Sequence, residues 1–224
     1  MLERLSLDGD EVVLDAGSGT GRVTEQLLER LPQGRVVALD AAPSMLVGAR
    51  RRLGRFGPRV SFVECDLGRP VPVGVGPVDA VFSTAAFHWV PDHDALFANL
   101  ATVLRPGGRL VAQCGGAGNV ASVEHALADM GEIWPGPWVF ATPEETAVRL
   151  AAAGFVDVET WLNPEPTPFD PGEPLETFLA TVVLRVHLAR MPEGERAGFV
   201  RRVAERLPRP EIDYVRLNIT ARRA

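Results

Sequence analysis

Val12-Val13-Leu14-Asp15-Ala16-Gly17-Ser18-Gly19-Thr20-Gly21-Arg22-Val23 is the stretch on which the fold turns. A short β-rich apolar run ends at Asp15 in a cluster of glycines. Val23, Leu27, Leu28 and Leu31 then recur at helical spacing. A strand that breaks into glycines and reopens as a helix places a helix N-terminus at the strand's carboxyl end, where open α/β sheets bind ligands. Small residues there let a ligand lie against the backbone.

Outward from that loop, strand and helix signals alternate. Pro32 and Gly34 stop the first helix, and Arg35 to Asp40 reads as a second strand. Pro43 fits the first turn of a helix carrying Met45, Leu46, Ala49 and Leu53 on one side. Val60 to Val63 is a third strand and Val78 to Phe82 a fourth. Leu96, Leu100, Val103 and Leu104 mark a helix closed by Pro106-Gly107-Gly108, and Leu110 to Cys114 is a fifth strand. This alternation implies crossover connections and a parallel sheet. Later, Thr142-Pro143-Glu144-Glu145 is a capping box, Val156 to Thr160 alternates as a strand, and Tyr214 to Thr220 closes the chain as another. Between them, Leu175, Phe178, Leu179, Val182, Val183 and Val186 form one helical stripe, and Phe199, Val200, Val203 and Leu207 a second.

The 224 residues read as a single domain, with residues 115–141 and 164–210 as insertions that form a helical cap over a ligand pocket. A net charge of −6 argues against nucleic acid or an anionic membrane as partner. Two cysteines, Cys65 and Cys114, suggest neither a disulfide scaffold nor a metal site, and a reducing cytoplasm is the expected location. No signal peptide opens the chain and no apolar run has membrane-spanning length.

A dinucleotide fingerprint needs a third glycine at position 22, which is Arg22; here the glycines fall at 17, 19 and 21, with Asp15 two positions ahead. This tighter form resembles motif I of the class I S-adenosylmethionine-dependent methyltransferases. Asp40, ending the second strand, can accept both hydrogens of a ribose diol, a device that dehydrogenases share. Asp66 after the third strand resembles the family's acceptor for the adenine amino group, with Met45 and Leu67 flanking the ring or simply packing in the core. Leu104-Arg105-Pro106-Gly107-Gly108-Arg109-Leu110 matches the family's turn before the fifth strand. Ser83-Thr84-Ala85-Ala86-Phe87-His88-Trp89-Val90, supported by Pro137 to Phe140 and Asp213 to Asn218, looks like the trans-aconitate methyltransferase group.

The resemblance implies a Rossmann-like doubly wound sheet of seven strands, the last antiparallel, binding S-adenosylmethionine and releasing S-adenosylhomocysteine. It assigns Asp15, Gly17, Gly19, Gly21, Asp40, Met45, Asp66, Leu67 and Ser83 to the cofactor. It departs at the front, where Met1 lies about ten residues before the first strand and the family's leading helical segment is not seen. The resemblance implies a small-molecule acceptor. A carboxylate needs no base because it is ionised near pH 7, whereas a hydroxyl or carbon acid usually does. His88 is the candidate base, and more readily a histidine that fixes its loop by hydrogen bonds. Trp89, Trp138 and Tyr214 are candidate acceptor contacts, Trp134 and Phe140 further apolar walls, and Arg149 and Arg185 candidate partners of an anion. No metal-ligand spacing is present. Besides carboxylate O-methylation, the residues admit methyl transfer to a hydroxyl, nitrogen or carbon, a non-catalytic cofactor-binding protein, or a nicotinamide-dependent oxidoreductase.

Overall fold

The computed structural model describes residues 1–132, 134 and 136–224. Strands β1 (Val12–Ala16), β2 (Arg35–Asp40), β3 (Val60–Glu64), β4 (Val78–Thr84) and β5 (Leu104–Gly115) alternate with helices α1 (Arg22–Arg30), α2 (Pro43–Leu53) and α3 (His93–Val103). There follow α4 (Ala121–Asp129), α5 (Pro143–Ala152), β6 (Phe155–Pro164), β7 (Thr167–Pro168), α6 (Glu173–Phe178), α7 (Arg185–Leu188), α8 (Glu193–Ala204), β8 (Glu211–Ile212) and β9 (Val215–Arg223). The main sheet runs β3-β2-β1-β4-β5-β9-β6, with β1 to β5 paired in parallel and β9 antiparallel to both its neighbours. This is the expected seven-stranded Rossmann-like sheet.

Side chains alternate across each strand, and helices cover both faces, so the strands read as continuous apolar runs. Leu14, Ala16, Val37, Leu39 and Val81 pack with Phe97, Leu100 and Leu150 from α3 and α5. Val13, Val36, Ala38, Ala80 and Phe82 pack on the other face with Leu27, Leu28, Ala49 and Leu53 from α1 and α2. The Thr142/Glu145 capping box that opens α5 forms as the sequence predicts, with both reciprocal hydrogen bonds made.

Several boundaries differ from expectation. The Pro106-Gly107-Gly108 turn is not a helix stop ahead of the fifth strand: α3 ends at Val103, and β5 already pairs Leu104 with Val78 before shifting register to Arg109 opposite Ala80. Tyr214 stands outside the last strand, which runs instead to Arg223. The stripe read over Leu175 to Val186 is interrupted by a π turn, Leu179–Val183, closed by Leu184 N–H on the Leu179 carbonyl at 2.7 Å. The turn shifts the buried set by one residue: Leu184, His187 and Leu188 are buried, and Val182 is 47% exposed.

α4, α6, α7 and α8 form a third apolar cluster around Val123, Leu127, Leu175, Leu179, Leu184, Phe199 and Val203. Asp213 ties this cluster to the sheet. Its carboxylate accepts from Ser122 N–H at 2.8 Å and from Ser122 Oγ at 2.7 Å, capping the first turn of α4 from the chain just ahead of β9. No helix among the described residues is long and apolar enough to cross a membrane, and none of them form a cluster that could hold a metal ion.

Candidate active site

The strand order reverses between β1 and β4, so the loops leaving their carboxyl ends diverge and open a crevice. A cleft of about 510 Å³ occupies that point. This is ligand-sized. Its floor is the β1–α1 loop, with Asp15, Gly17, Ser18, Gly19 and Thr20. One wall is the end of β2 and start of α2 (Asp40, Ala41, Ala42, Met45), and beside it stand Cys65, Asp66 and Leu67 after β3. The opposite wall is Thr84, Ala85, Ala86, Trp89 and Val90 after β4.

The amides of Gly17, Ser18 and Gly19 are spent within the protein. Gly17 and Ser18 both donate to the Leu39 carbonyl, at 2.8 and 2.9 Å. Gly19 donates to Asp40 Oδ2 at 2.8 Å, while Ala42 donates to Oδ1 at 2.9 Å. These are the amides that a pyrophosphate would need, so this loop is no phosphate cradle. Asp40 keeps free lone pairs on each oxygen, since an ionised carboxylate offers about four acceptor sites.

The chemistry of the floor suits a cationic, amino-acid-like ligand. Asp15 is buried, and its Oδ2 accepts from Thr24 Oγ1 at 2.5 Å. Burial pushes its carboxyl up to about 6, against the lowering pull of the Thr24 hydroxyl, and the Asp40 charge adds to the rise. Ser18 Oγ is buried with no hydrogen-bond partner among the described residues. Such unsatisfied groups on a cleft wall are costly unless a ligand meets them. A Cβ on Gly19 would find nothing within 4 Å, whereas one on Gly17 would stand 2.2 Å from Ala86 Cβ. Gly17 is therefore small so that the β1 and β4 loops can touch, and Gly19 faces open space.

Of the residues singled out by sequence, Asp15, Gly17, Gly19, Asp40, Met45, Asp66, Leu67, Trp89 and Arg185 come together on this cleft. Gly21, Ser83, His88, Trp134, Trp138, Phe140, Arg149 and Tyr214 do not line it. Gly21 is the cap of α1 at φ 79°, where a Cβ would strike Leu53 at 2.8 Å, so its role is helix packing. Ser83 is buried and donates to the Ala16 carbonyl at 2.6 Å, tying β4 to β1. Tyr214 packs edge-on against Phe178 under the Arg216 guanidinium. Trp138 lies behind Trp89, with centroids 5.9 Å apart, and stacks on Phe140.

His88 also sits in that aromatic layer, 5.9 Å from Phe140. Its Nδ1 accepts from Gly115 N–H at 3.2 Å, which fixes the neutral tautomer with the proton on Nε2. Burial pushes the imidazole down to about 4, and the nearby Arg216 charge and His93 push the same way. In the sequence Arg216 on β9 reads only as part of the Asp213 to Asn218 stretch, with no role of its own; pairing of β9 with β5 is what brings it near. The lining residues Ala41, Ala42 and Thr84 to Ala86 were legible only as neighbours of Asp40 and Ser83 in the chain.

Residues 13–108 match the model of a methyltransferase domain family. A trans-aconitate 2-methyltransferase from Azoarcus is 33% identical over 89% of this chain and 79% of that protein. The chain belongs to the class I S-adenosylmethionine-dependent methyltransferases. Within that family it falls in the group of the trans-aconitate enzymes. A malonyl-[acyl-carrier protein] O-methyltransferase from Xylella fastidiosa is 36% identical over 57% of this chain and 44% of that protein. The YcgJ protein of Bacillus subtilis shares the fold across 100% of this chain and 96% of its own, at TM-score 0.71 and 15% identity. A Haemonchus contortus phosphoethanolamine N-methyltransferase, solved with S-adenosyl-L-methionine, matches at TM-score 0.64 and 20% identity over 100% of this chain and 51% of that one. This methyltransferase uses S-adenosylmethionine and methylates a small molecule, which removes the oxidoreductase and non-catalytic readings.

Proposed function

We propose that this methyltransferase esterifies a carboxylate of a small organic acid. The observation that carries the reading is His88: its Nδ1 lone pair is occupied by Gly115 N–H, and its proton sits on the other nitrogen. It holds the loop and is not set up as a base for deprotonating a hydroxyl or carbon acid. A carboxylate acceptor needs none. The named activities of the Azoarcus and Xylella relatives support the same acceptor chemistry.

In this reading the cofactor supplies an activated methyl electrophile, and the chain's work is binding, alignment and exclusion of water. Asp40 takes the ribose diol and Asp66 the adenine amino group, with Met45 and Leu67 on the two faces of the ring. The Asp15 carboxylate and Ser18 Oγ meet the amino-acid end. Gly19 lets the ligand lie against the loop, Gly17 lets the β1 and β4 loops close beneath it, and Trp89 walls the acceptor side. The helical insertions of residues 115–141 and 164–210 act as a cap. The net charge of −6 and two unpaired cysteines support a cytoplasmic enzyme whose partner is neither nucleic acid nor membrane.

The test is the alkali lability of the transferred methyl. Label from methyl-labelled cofactor, incorporated into an organic-acid panel, should be released as methanol by mild base, as an ester requires. Label that survives as an ether, amine or C-methyl group would sink the proposal.

His88→Asn should retain activity to within about tenfold, because the Asn side-chain oxygen can take the place of Nδ1 as acceptor for Gly115 N–H. A positioned base would instead be worth roughly 10²–10⁴-fold. A loss of that size with unchanged cofactor affinity would make His88 the base.

Asp15 gives a separate pH signature. Its raised pKa means that folding stability from this group is present at low pH and is lost as pH rises through about 6. Cofactor binding runs the other way, since an ammonium partner favours the ionised form. Affinity for S-adenosylhomocysteine should therefore fall as pH drops below about 6. Asp15→Asn should flatten that dependence and His88→Asn should leave it in place. A dependence that survives in Asp15→Asn would place its origin elsewhere.

A further inference from the structure

Among the described residues, the cleft's lining comes from the stretch 15–90 with one exception, Arg185, which the insertion between β6 and β9 supplies. Arg185 is exposed and, among the described residues, its side chain has no ion-pair or hydrogen-bond partner. Its position depends on the π turn. Had the helix continued regularly from Leu179, Val182 and Val186 would lie in the buried stripe, with Arg185 on its flank. The extra residue of the π turn rotates the following turn by about 100°. Leu184, His187 and Leu188 become the buried set, and Arg185 is turned away from that apolar cluster into the cleft.

The cleft it enters carries three carboxylates, Asp15, Asp40 and Asp66. An anionic acceptor entering there is repelled unless a cation meets it. Arginine suits this task, since its fork matches a carboxylate with two parallel hydrogen bonds.

We propose that Arg185 is the anchor for a second anionic group of the acceptor, so that the insertion selects acceptors by charge. This rests on the carboxylate reading above. One carboxylate of the acceptor is held on the Arg185 guanidinium. A second presents an oxygen to the methyl carbon: the O–C bond forms as the C–S bond breaks, with its electron pair going to sulfur. The products are a methyl ester and the neutral thioether, and no proton is taken up or released. Acceptors with a single carboxylate lack the anchoring group.

The test compares the wild type with Arg185→Ala and Arg185→Lys. The probes are trans-aconitate, which carries several carboxylates, and crotonate, which carries one. Turnover is read as kcat and KM separately, and binding of trans-aconitate to the S-adenosylhomocysteine-loaded enzyme is read by calorimetry. Arg185→Ala should raise the trans-aconitate KM and Kd by roughly 10- to 100-fold, the worth of a charge-assisted hydrogen-bonded pair. Its kcat, its S-adenosylhomocysteine affinity and its activity on crotonate should stay near wild type, and Arg185→Lys should recover part of the loss. An equal loss of S-adenosylhomocysteine affinity would assign Arg185 to the cofactor's own carboxylate and overturn the proposal. So would unchanged trans-aconitate binding in Arg185→Ala, or no binding of trans-aconitate to the wild type. Trans-aconitate that binds through Arg185 but is not methylated, with methyl found on another class of atom, would instead overturn the carboxylate reading alone.

Discussion

Asp40→Ala is expected to weaken S-adenosylhomocysteine binding by roughly two to four orders of magnitude in a protein that still folds. Two charge-assisted hydrogen bonds to a ribose diol, at about 1.5–3 kcal/mol each, set that range. Asp40 also organises the floor, because its two oxygens hold the amides of Gly19 and Ala42. Loosening of the loop and loss of the diol contact would both reduce affinity, so the two are separated by a double cycle with a 2′-deoxy analogue of the product. If Asp40 binds the diol, removing the hydroxyl should cost little once Asp40 is gone. Additive losses would reduce Asp40 to a loop tether. Wild-type affinity in folded Asp40→Ala would remove it from the site.

Gly19→Val should abolish measurable cofactor binding at a modest cost in stability. Gly19 sits at φ 55°, so a branched side chain there is strained by about 1–3 kcal/mol. Its Cβ meets no protein atom within 4 Å, because the space beside it is the cleft. The valine therefore fits the protein and displaces the ligand. Gly17→Ala makes the converse case. Its Cβ would lie 2.2 Å from Ala86 Cβ at φ 83°, so one of the two loops must move and the melting temperature should fall clearly. Thermal melts and calorimetry on both variants check the contrast. A structure of Gly19→Val with the cofactor in its normal place beside the valine would contradict it.

The parts of the site closest to regular strands were the most legible. Asp15 and Asp40 end strands whose apolar runs are unmistakable, and a residue at a strand's carboxyl end in a doubly wound sheet has little choice of direction. Gly21 and Ser83 sit in the same motifs but act inward, one spacing α1 from Leu53 and the other bonding β4 to β1. Spacing alone does not distinguish a glycine that makes room for ligand from one that makes room for a neighbouring helix. Tyr214 packs against Phe178 and Trp138 against Trp89, neighbours that the chain order does not bring near, which is why their residue types alone placed them on the acceptor side.

The sequence by itself determined the alternation of strands and helices, the parallel pairing it implies and the places of Asp15 and Asp40 at strand ends, because these follow from local periodicity and from glycine and proline punctuation; the antiparallel last strand and the place of Asp66 in the cleft came from the resemblance to the family. Tertiary structure alone decided which nitrogen of His88 is free, since the bond from Gly115 joins β5 to a loop 27 residues away. It also decided that Arg185 faces the cleft. Regular 3.6-residue periodicity turns it aside. The π turn forms as Leu184 and Leu188 pack into an apolar cluster drawn from α4, α6 and α8, and contacts between such distant segments leave no period in the chain.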